Sequence, residues 1–456
     1  MMIKNHKIKY IIGLSLILLS VACKKDFLDV KPQKQQVVVE TLQDVTALLD
    51  NADIMNRTDY FRLISDGDFY YTDDKLLSVS EVQRNLYMWK SDIDPTNFNI
   101  TPWDLPYQQI MYANIALETL DGMKNFGGNE EQWKNLYGSA LFYRAWAHYQ
   151  LLQDFAEGYD PTVESQLGVP IVTNSTYPKS INRESLLEGY GFINDQLTKA
   201  LPLLPEKSSI KTRPSVQVVY SLKALLHLNV HNYEQALLAS EQCMAIDDSI
   251  VDFNLLKLSD ASPFSVYNFN THPEIIFFAS SNVPLVGITG IEVENQLYKS
   301  YIDGDCRKKF FFNAQRLYTG TYSGNSQYHF TGMANDEVLL IKAECLARLD
   351  RQNESVAVMQ KLLKNRFENK AIQGNAPTDK KQLLQWILRE RQKELVGRGS
   401  RWTDLKRLNR NDETKINLSR TYMNAPYALP ANSNRYVFAI PAEEVLISGL
   451  KQNERN

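Results

Sequence analysis

SVQVVYSLKALLHLNVHNYEQALLASEQCMAID, residues 215–247, is the stretch that decides the predicted fold. It predicts two consecutive helices, at about residues 215–231 and 233–247, joined by a turn at Asn232. Ala224 and Ala236 lie 12 positions apart, one on each helix. Because small side chains allow two antiparallel helices to approach closely, the stretch predicts a helical hairpin.

A second stretch repeats this arrangement. Helices are predicted at about residues 335–349 and 354–366, with a turn between them, and Cys345 and Ala357 are again 12 positions apart. The shared spacing is typical of tetratricopeptide repeats. The sequence therefore predicts a mainly α protein, a tetratricopeptide-like α-solenoid of paired helices. On pattern alone, a non-repeating helical bundle is the alternative.

Other segments extend this prediction on both sides of the hairpins. Further helices are predicted at about residues 42–49, 103–126, 130–155, 184–204 and 380–396, with a polar and aromatic loop at residues 51–101. Short extended segments are predicted at residues 274–279 and 436–441, and an irregular hairpin at residues 310–330. We expect these loop- and short-strand-rich segments to form a ligand-binding face on the helical scaffold.

The N-terminus has the organisation of a secretory signal. Three lysines within the first nine residues precede an apolar run at residues 11–19. This run is shorter than the ~20 apolar residues that cross a bilayer. Small residues then lead directly into Cys23, which resembles the lipobox of bacterial lipoproteins, although Ser20 stands where that pattern prefers leucine. An ordinary cleaved signal is the alternative.

The resulting division of the chain has three parts. We predict a lipoprotein signal peptide at residues 1–22, a lipidated tether at residues 23–40 that begins with acylated (palmitate-carrying) Cys23, and a single domain at residues 41–456.

Composition excludes several functional classes. The formal net charge is −3 and no basic run is present, so nucleic acid is not a predicted partner. No later stretch reaches 18 uncharged apolar residues, and no transmembrane helix is predicted beyond the signal. Cys243, Cys306 and Cys345 show no metal or disulfide spacing, which predicts free cysteines, buried at Cys243 and Cys345.

The segment around Asp66, Asp68, Tyr70 and Tyr71 is the first candidate binding site. Carboxylates beside tyrosines can bind sugar hydroxyls or peptide amides through hydrogen bonds. The spacing lacks the pattern and the late glutamate of an EF-hand, so no metal site is assigned. Aspartates that cap a turn are the alternative interpretation.

Further candidates combine aromatic rings with planar polar groups. Trp89, Asn97 and Asn99 offer an aromatic face and amides, the mixture that a carbohydrate site needs. Trp103, at a helix start, is interpreted as scaffold. Tyr318 and Tyr322, with Tyr328, lie along a glycine-containing loop and could form an aromatic platform, or a hairpin with exposed tyrosines.

No catalytic constellation is present in the sequence. Glu390 and Glu394 share a helix face with Arg391 between them, which favours an ion-pair network over general acid–base chemistry. The histidines show no metal-ligand pairing, and no nucleophile-elbow motif occurs. We therefore predict no catalytic residue, metal or cofactor.

Motifs along nearly the whole mature chain resemble those of the SusD/RagB family of outer-membrane lipoproteins from Bacteroidetes. In the family's order they lie at residues 23–32, 103–114, 140–147, 168–170, 183, 200–202, 213–215, 274–277, 305–307, 390–395 and 401–407. Two departures occur. Gly397-Arg398-Gly399 lacks the usual glutamate, and the tail after Asn453 lacks a Pro-Gly-Tyr ending.

The resemblance implies both a location and a role. Family members stand on the extracellular side of the outer membrane, held by their lipid anchor. They capture an oligomeric nutrient and form the extracellular lid of a SusC-like TonB-dependent transporter barrel. They often use an aspartate of the loop that corresponds to residues 66–68 for ligand contact. We therefore expect binding rather than catalysis, with an oligosaccharide as the ligand.

Three alternatives remain open at this point. The first is the same uptake role for oligopeptides. The others are a surface enzyme that processes glycans or peptides, and a repeat scaffold that binds only proteins.

Overall fold

Helices dominate the structure, a computed structural model that describes residues 39–93, 102–123, 127–176, 181–258, 263–282, 285–324 and 328–456. In chain order they are α1 (Leu42–Leu49), α2 (Ala52–Met55), α3 (Phe61–Ser65), α4 (Asp73–Ser78), α5 (Glu81–Tyr87), α6 (Asp104–Gly122), α7 (Glu130–Phe155), α8 (Leu186–Ala200), α9 (Val216–Asn229), α10 (Tyr233–Ile246), α11 (Asn295–Ser300), α12 (Cys306–Phe311), α13 (Asn335–Arg348), α14 (Gln352–Lys364), α15 (Lys380–Glu394), α16 (Ser400–Leu408) and α17 (Ala442–Ser448). Each predicted helix is present, and the mainly α fold is confirmed.

Side-chain caps explain where several of these helices begin. Ser185, Ser215 and Asp379 each accept a hydrogen bond from the backbone N–H three residues later, which satisfies a donor that the first turn leaves free. The helix predicted at residues 184–204 is shorter than expected. It ends at Ala200 and continues as a 3₁₀ turn, Leu201–Leu203, because Pro202 has no N–H to continue the α-helical pattern.

The prediction of a loop at residues 51–101 is wrong for its described part. Residues 52–87 contain α2 to α5 and strand β1 (Phe69–Tyr71). These helices span only four to seven residues, too few for helical periodicity to be recognised in a polar and aromatic sequence.

The long helices pack as a solenoid, each mainly on the long helices that precede and follow it, with the short α11 and α12 between α10 and α13. α6 packs on α7, α7 on α8, α9 on α10, α10 on α13, and α13 on α14. Nearest-neighbour packing of paired helices is the defining property of repeat proteins. The tetratricopeptide-like α-solenoid predicted from the two hairpins is therefore confirmed.

The small-residue contacts are confirmed in the first hairpin and corrected in the second. Ala224 and Ala236 are both fully buried, in one cluster with Cys345. Ala357, in contrast, is exposed. The close contact between α13 and α14 is made by Ser355, whose buried Oγ donates to the Ala343 carbonyl oxygen at 2.7 Å. The 12-residue spacing holds, but from Ala343 rather than from Cys345.

Short strands form two-stranded antiparallel pairs beside the helices. The remaining strands are β2 (Ile275–Phe277), β3 (Ser280–Ser281), β4 (Ile291–Val293), β5 (His329–Phe330), β6 (Met333–Ala334), β7 (Leu418–Tyr422) and β8 (Ala425–Leu429). β1 pairs with β4, β2 with β6, β3 with β5, and β7 with β8. The β1–β4 pair ties the segment between α10 and α13 to the N-terminal part of the domain, whereas β2–β6 and β3–β5 join the two ends of that segment to each other.

Two further extended predictions are partly corrected. Residues 310–330 contain the end of α12, a bridge between Phe312 and Tyr318, and β5, rather than one hairpin. Residues 437–441 follow the 3₁₀ turn Asn434–Tyr436 and form no strand. Cys243, Cys306 and Cys345 are free, as their spacing predicts; Cys243 and Cys345 are buried as expected, and Cys306 is buried as well. Among the described residues, no helix combines the length and apolar character needed to cross a membrane.

Candidate functional site

Several predicted binding residues lie together around the guanidinium group of Arg420, on β7. The Arg420 Cζ atom is 3.8 Å from the centre of the Tyr87 ring and 4.0 Å from that of Trp89, distances typical of cation–π contacts. Tyr71 belongs to the same cluster, because its N–H donates to the Tyr87 hydroxyl at 3.1 Å. Asp66 adjoins the cluster and interacts electrostatically with Arg420.

Trp89 is held in the interior, not presented to solvent. It is 2% exposed, and its indole N–H donates to the Ser65 carbonyl oxygen at 2.8 Å. Its backbone has φ 53°, an unusual conformation for an aromatic residue that follows the end of α5. In this structure its ring faces Arg420 and the protein core, and a ligand contact by Trp89 stays a prediction.

The expected platform of exposed tyrosines is wrong. Tyr318 and Tyr322 are 3% and 1% exposed. Tyr318 packs against Phe69, with ring centres 5.9 Å apart. The Tyr322 hydroxyl lies 3.2 Å from both a Glu274 and an Asp336 carboxylate oxygen. Burial removes the large apolar surface of an aromatic ring from water and so stabilises the fold. This gain explains why both rings pack in the interior rather than at the surface.

The other predicted residues have varied locations. Tyr70 is 41% exposed and lies on β1 opposite Glu292 of β4. Trp103 is buried against Phe155, in agreement with a scaffold role. Asn97, Asn99 and Cys23 lie outside the described residues, so their roles stay predictions.

A large polar pocket of about 560 Å³ opens beside the Asp66–Asp68 segment. Its first wall is one face of α15, because Gln385, Arg389 and Gln392 follow a spacing of four and three residues. Its other walls come from residues 294–297 and from residues 413–419, which lead into β7, while Gly67 lies at its edge. Most of these side chains are polar, and we name this site the Gln392 pocket.

Asp68 lies directly behind the pocket wall. It is 1% exposed, and its Oδ1 accepts a hydrogen bond from Gln392 Nε2 at 2.8 Å. The Nε atom of Arg401, a residue that lines the pocket, is 4.0 Å from the same oxygen. Asp68 therefore holds Gln392 through a hydrogen bond and attracts Arg401 electrostatically.

Both aspartates of this segment carry a buried oxygen without a donor. The Asp68 N–H donates to Asp66 Oδ1 at 2.9 Å, which closes a turn. Within the described residues, the Oδ2 atoms of Asp66 and Asp68 have no hydrogen-bond partner. The interpretation as turn-capping aspartates is therefore supported, and one oxygen of each remains unsatisfied.

Burial dominates the electrostatics of these two groups. It raises the pKa of Asp68 from 3.8 to about 6, against the lowering effect of Arg401 and of the Gln392 hydrogen bond. Burial and the neighbouring Asp68 raise the pKa of Asp66 well above its usual range. At neutral pH, ionised Asp68 is a strong acceptor for Gln392, at a cost in stability.

Replacing Asp68 with asparagine is expected to stabilise the protein at pH 8 and to leave its stability unchanged near pH 4. A raised folded-state pKa means that the group favours folding fully below 3.8, and that this contribution is lost as pH rises through about 6. The expected gain at pH 8 is about 1–3 kcal/mol in the free energy of unfolding, measured by urea titration. Exposed Asp303, changed to asparagine, is the control that should keep the wild-type pH profile.

The glutamates of α15 belong to a buried ion-pair network, as the sequence predicts. Glu390 pairs with Arg307 at 2.5 Å and with Lys393 at 2.9 Å. Glu394 pairs with Arg307 and Arg366, and Arg391 pairs with residues of α13 and α16. These carboxylates are satisfied by basic partners, which supports a structural role.

The sequence did not reveal the main pocket wall. Gln385, Arg389 and Gln392 form a polar stripe on a helix whose most evident sequence feature is the Glu390–Glu394 pair. The available signal was a set of long polar side chains at helical spacing opposite the buried face. The contribution of residues 413–419 had no comparable signal, because their position depends on the β7–β8 pairing.

Comparisons with known proteins agree with this architecture. Residues 26–228 match a SusD-like family model described as "Starch-binding associating with outer membrane", and residues 307–446 match the model of the SusD family. No curated protein sequence matches the chain.

Solved structures of the same superfamily share the fold. A SusD superfamily protein from Bacteroides vulgatus ATCC 8482 is 20% identical, with a TM-score of 0.73 over 91% of this chain and 99% of that chain. A SusD superfamily protein from Bacteroides thetaiotaomicron VPI-5482 is 16% identical, with a TM-score of 0.74 over 91% and 100%. A SusD-like carbohydrate binding protein from Bacteroides vulgatus is 18% identical, with a TM-score of 0.66 over 90% and 97%.

The two family models and the shared solenoid fold lead to one assignment: this chain belongs to the SusD/RagB family.

Proposed function

We propose that this protein is a cell-surface binding protein that captures an oligosaccharide in the Gln392 pocket. The observation that carries the proposal is the pocket itself, a polar cleft of about 560 Å³ beside the Asp66–Asp68 segment of a SusD-family chain. Pockets of about 300–1,000 Å³ suit small ligands or a few units of an oligomer. The name of the carbohydrate-binding relative supports the ligand class.

The chemistry of the pocket suits sugar hydroxyls. Gln385 offers a donor and an acceptor, and Gln392 keeps a second N–H beside the one that it donates to Asp68. The Arg389 and Arg401 guanidinium groups offer further donors in a plane. Leu388 and Leu418 add apolar surface for the C–H groups of a sugar ring. Because Asp68 holds Gln392 in place, part of this site is already organised before a ligand binds.

The proposed action is binding without catalysis. A glycoside-hydrolysing site needs a pair of carboxylic acids with separate roles, one protonated and one ionised, on either side of the scissile bond. Asp66 and Asp68 lie behind the pocket wall and do not line the pocket. Of the carboxylates that do line it, Glu294 caps the first turn of α11, and Glu413 lies 3.8 Å from Lys381. We therefore favour capture and release over cleavage.

Changing Gln385 and Arg389 together to alanine is expected to weaken oligosaccharide binding about tenfold or more. Each side chain is exposed and lines the pocket, and the loss of two hydrogen bonds of about 1 kcal/mol each accounts for this factor. Isothermal titration calorimetry with neutral oligosaccharides and with short peptides measures the effect. The Gln382→Ala variant is the matched control, because Gln382 is exposed on the same helix but lies outside the pocket.

The outcomes of this experiment separate the alternatives. Oligosaccharide binding that is weakened in the double variant and unchanged in the Gln382→Ala variant supports the proposal. If only peptides bind, and the double variant weakens their binding to the same extent, the proposed uptake role applies to oligopeptides. Release of shorter products would establish an enzyme, and the absence of binding by either ligand class would contradict the proposal.

We further propose that the captured ligand passes to a SusC-like TonB-dependent transporter barrel, which this protein covers as a lid. In this proposal residues 1–22 are removed as a signal peptide, and residues 23–40 link lipidated Cys23 in the outer leaflet to a single domain at residues 41–456. Family membership supports this arrangement. Co-purification of a barrel from detergent-solubilised outer membranes would support it, and recovery of this chain alone would contradict it.

A further inference from the structure

We propose that a second pocket, beside a neighbouring face of α15, binds a neutral sugar independently of the Gln392 pocket. This second pocket has a volume of about 380 Å³ and lies between α14, α15 and residues 372–376. We name it the Trp386 pocket, after the aromatic side chain in its wall. Its volume lies within the range of small-molecule sites, about 300–1,000 Å³.

Helical geometry places the two pockets on different faces of the same helix. Trp386, Glu390 and Lys393 line the Trp386 pocket, with a spacing of four and three residues. Gln385 and Gln392 line the Gln392 pocket one residue earlier in each case. One residue turns an α-helix by about 100°, so the two stripes face different directions and one ligand does not occupy both.

The floor of the Trp386 pocket is a buried ion pair whose lysine ammonium also lies 5.3 Å from the centre of the Tyr301 ring. Glu390 and Lys393 are 6% and 2% exposed. Lys393 Nζ lies 2.9 Å from Glu390 Oε1 and 2.9 Å from Asp305 Oδ2. An ammonium group has three N–H donors, and these two carboxylates account for two of them. The third can donate to a ligand oxygen.

The balance of charges in this floor selects a neutral ligand. Lys393 and Arg307 both pair with Asp305 and Glu390, and Arg307 also pairs with Glu394, so the charges of this floor already have partners. An additional charge would lack a partner at this buried position and would be costly to desolvate. A neutral molecule with adjacent hydroxyl groups fits, because one hydroxyl can donate to Glu390 while its neighbour accepts from Lys393.

The walls add the remaining features of a sugar site. Trp386 is half-buried and offers an apolar surface to the C–H face of a ring, as does Ile302, which is 45% exposed. The amides of Gln373 and Asn375 lie exposed at the rim. Gly374, between them, has φ 82°, a conformation that glycine adopts without strain. An apolar face, planar amides and a donor–acceptor pair together match a neutral sugar.

The experiment is a calorimetric titration of the mature chain with cellobiose, maltose, lactose and mannobiose. Its central variant is Gln373→Ala/Asn375→Ala, which changes only exposed rim amides and should fold normally. We expect two classes of binding site in the wild type for at least one of these sugars. The rim variant should weaken one class about tenfold, and Gln385→Ala/Arg389→Ala should weaken only the other. A disaccharide that carries a uronic acid should bind to the Trp386 pocket at least about tenfold more weakly than the matching neutral disaccharide.

Each outcome decides between the two sites. Binding that only the rim variant weakens supports the Trp386 pocket even if the proposed function of the Gln392 pocket fails. One class of sites that is sensitive only to Gln385→Ala/Arg389→Ala overturns the second site and leaves the proposed function intact. A lack of binding by all four sugars, or equal affinity for the uronic acid at the rim-sensitive class, also overturns it.

Discussion

Replacing Glu394 with alanine is expected to lower the free energy of unfolding by about 3–5 kcal/mol, the usual loss when a buried charge loses its partner. Glu394 is 1% exposed, and its carboxylate accepts from Arg366 Nε at 2.7 Å and from Arg307 Nη1 at 3.1 Å. Alanine leaves two buried guanidinium groups with one carboxylate fewer. Urea-induced unfolding at neutral pH measures the loss.

A solvent-exposed pair supplies the comparison. Glu130 and Lys134 form an ion pair on α7 with side chains that are 68% and 48% exposed. The Glu130→Ala variant is expected to unfold at the wild-type urea concentration, because water and salt screen such pairs. Equal stability of the Glu394→Ala variant and the wild type would show that the network contributes little, and that Asp305, Glu274 and Glu390 compensate for the missing carboxylate.

Replacing Trp402 with alanine is expected to destabilise the protein by a similar amount, about 3–5 kcal/mol. Trp402, on α16, is fully buried. Its ring stacks on Phe438 at 5.7 Å between centres and lies 4.7 Å from the ring of Tyr436. Alanine would leave a large cavity between α16 and the C-terminal segment. Thermal and urea unfolding, followed by circular dichroism, measure the change.

Phenylalanine at position 402 separates packing from hydrogen bonding. Within the described residues, the Trp402 indole N–H has no hydrogen-bond partner, so its removal costs no bond. The Trp402→Phe variant should therefore lose only the part of the packing that the smaller ring cannot fill, about 1 kcal/mol. A loss as large as that of the alanine variant would contradict a packing role and would indicate an unrecognised polar contact.

The solenoid was predictable because long helices carry their own signal. α9 and α10 each span several helical turns, so the sequence predicts where they begin and end. It also predicts their close contact at Ala224 and Ala236. The helices α2 to α5 were missed because four to seven residues cannot establish a helical period. Their positions depend on tertiary packing, for example on the burial of Leu76 and Tyr87.

The candidate site was less predictable than the fold. Asp66 and Asp68 were identified as a functional segment, and the structure places them beside a pocket. The aromatic candidates Trp89, Tyr318 and Tyr322 are buried, because a sequence shows that a ring is present but not which surface covers it. At these positions the aromatic rings pack in the core. The pocket walls instead consist of polar side chains from separate segments, which come together only in the complete fold.

The hydrogen bond between Gln392 and Asp68 also bears on the order in which the protein folds. It joins residues that are 324 positions apart in the chain. A contact of this separation closes a very long loop and carries a large entropic cost, so local helical hairpins such as α9–α10 can form well before it does. Because the chain is synthesised from its N-terminus, one wall of the Gln392 pocket is absent until α15 has been synthesised and has packed beside Asp68. The protein therefore becomes able to bind a ligand in this pocket only late in folding, once Asp68 and Gln392 are in contact.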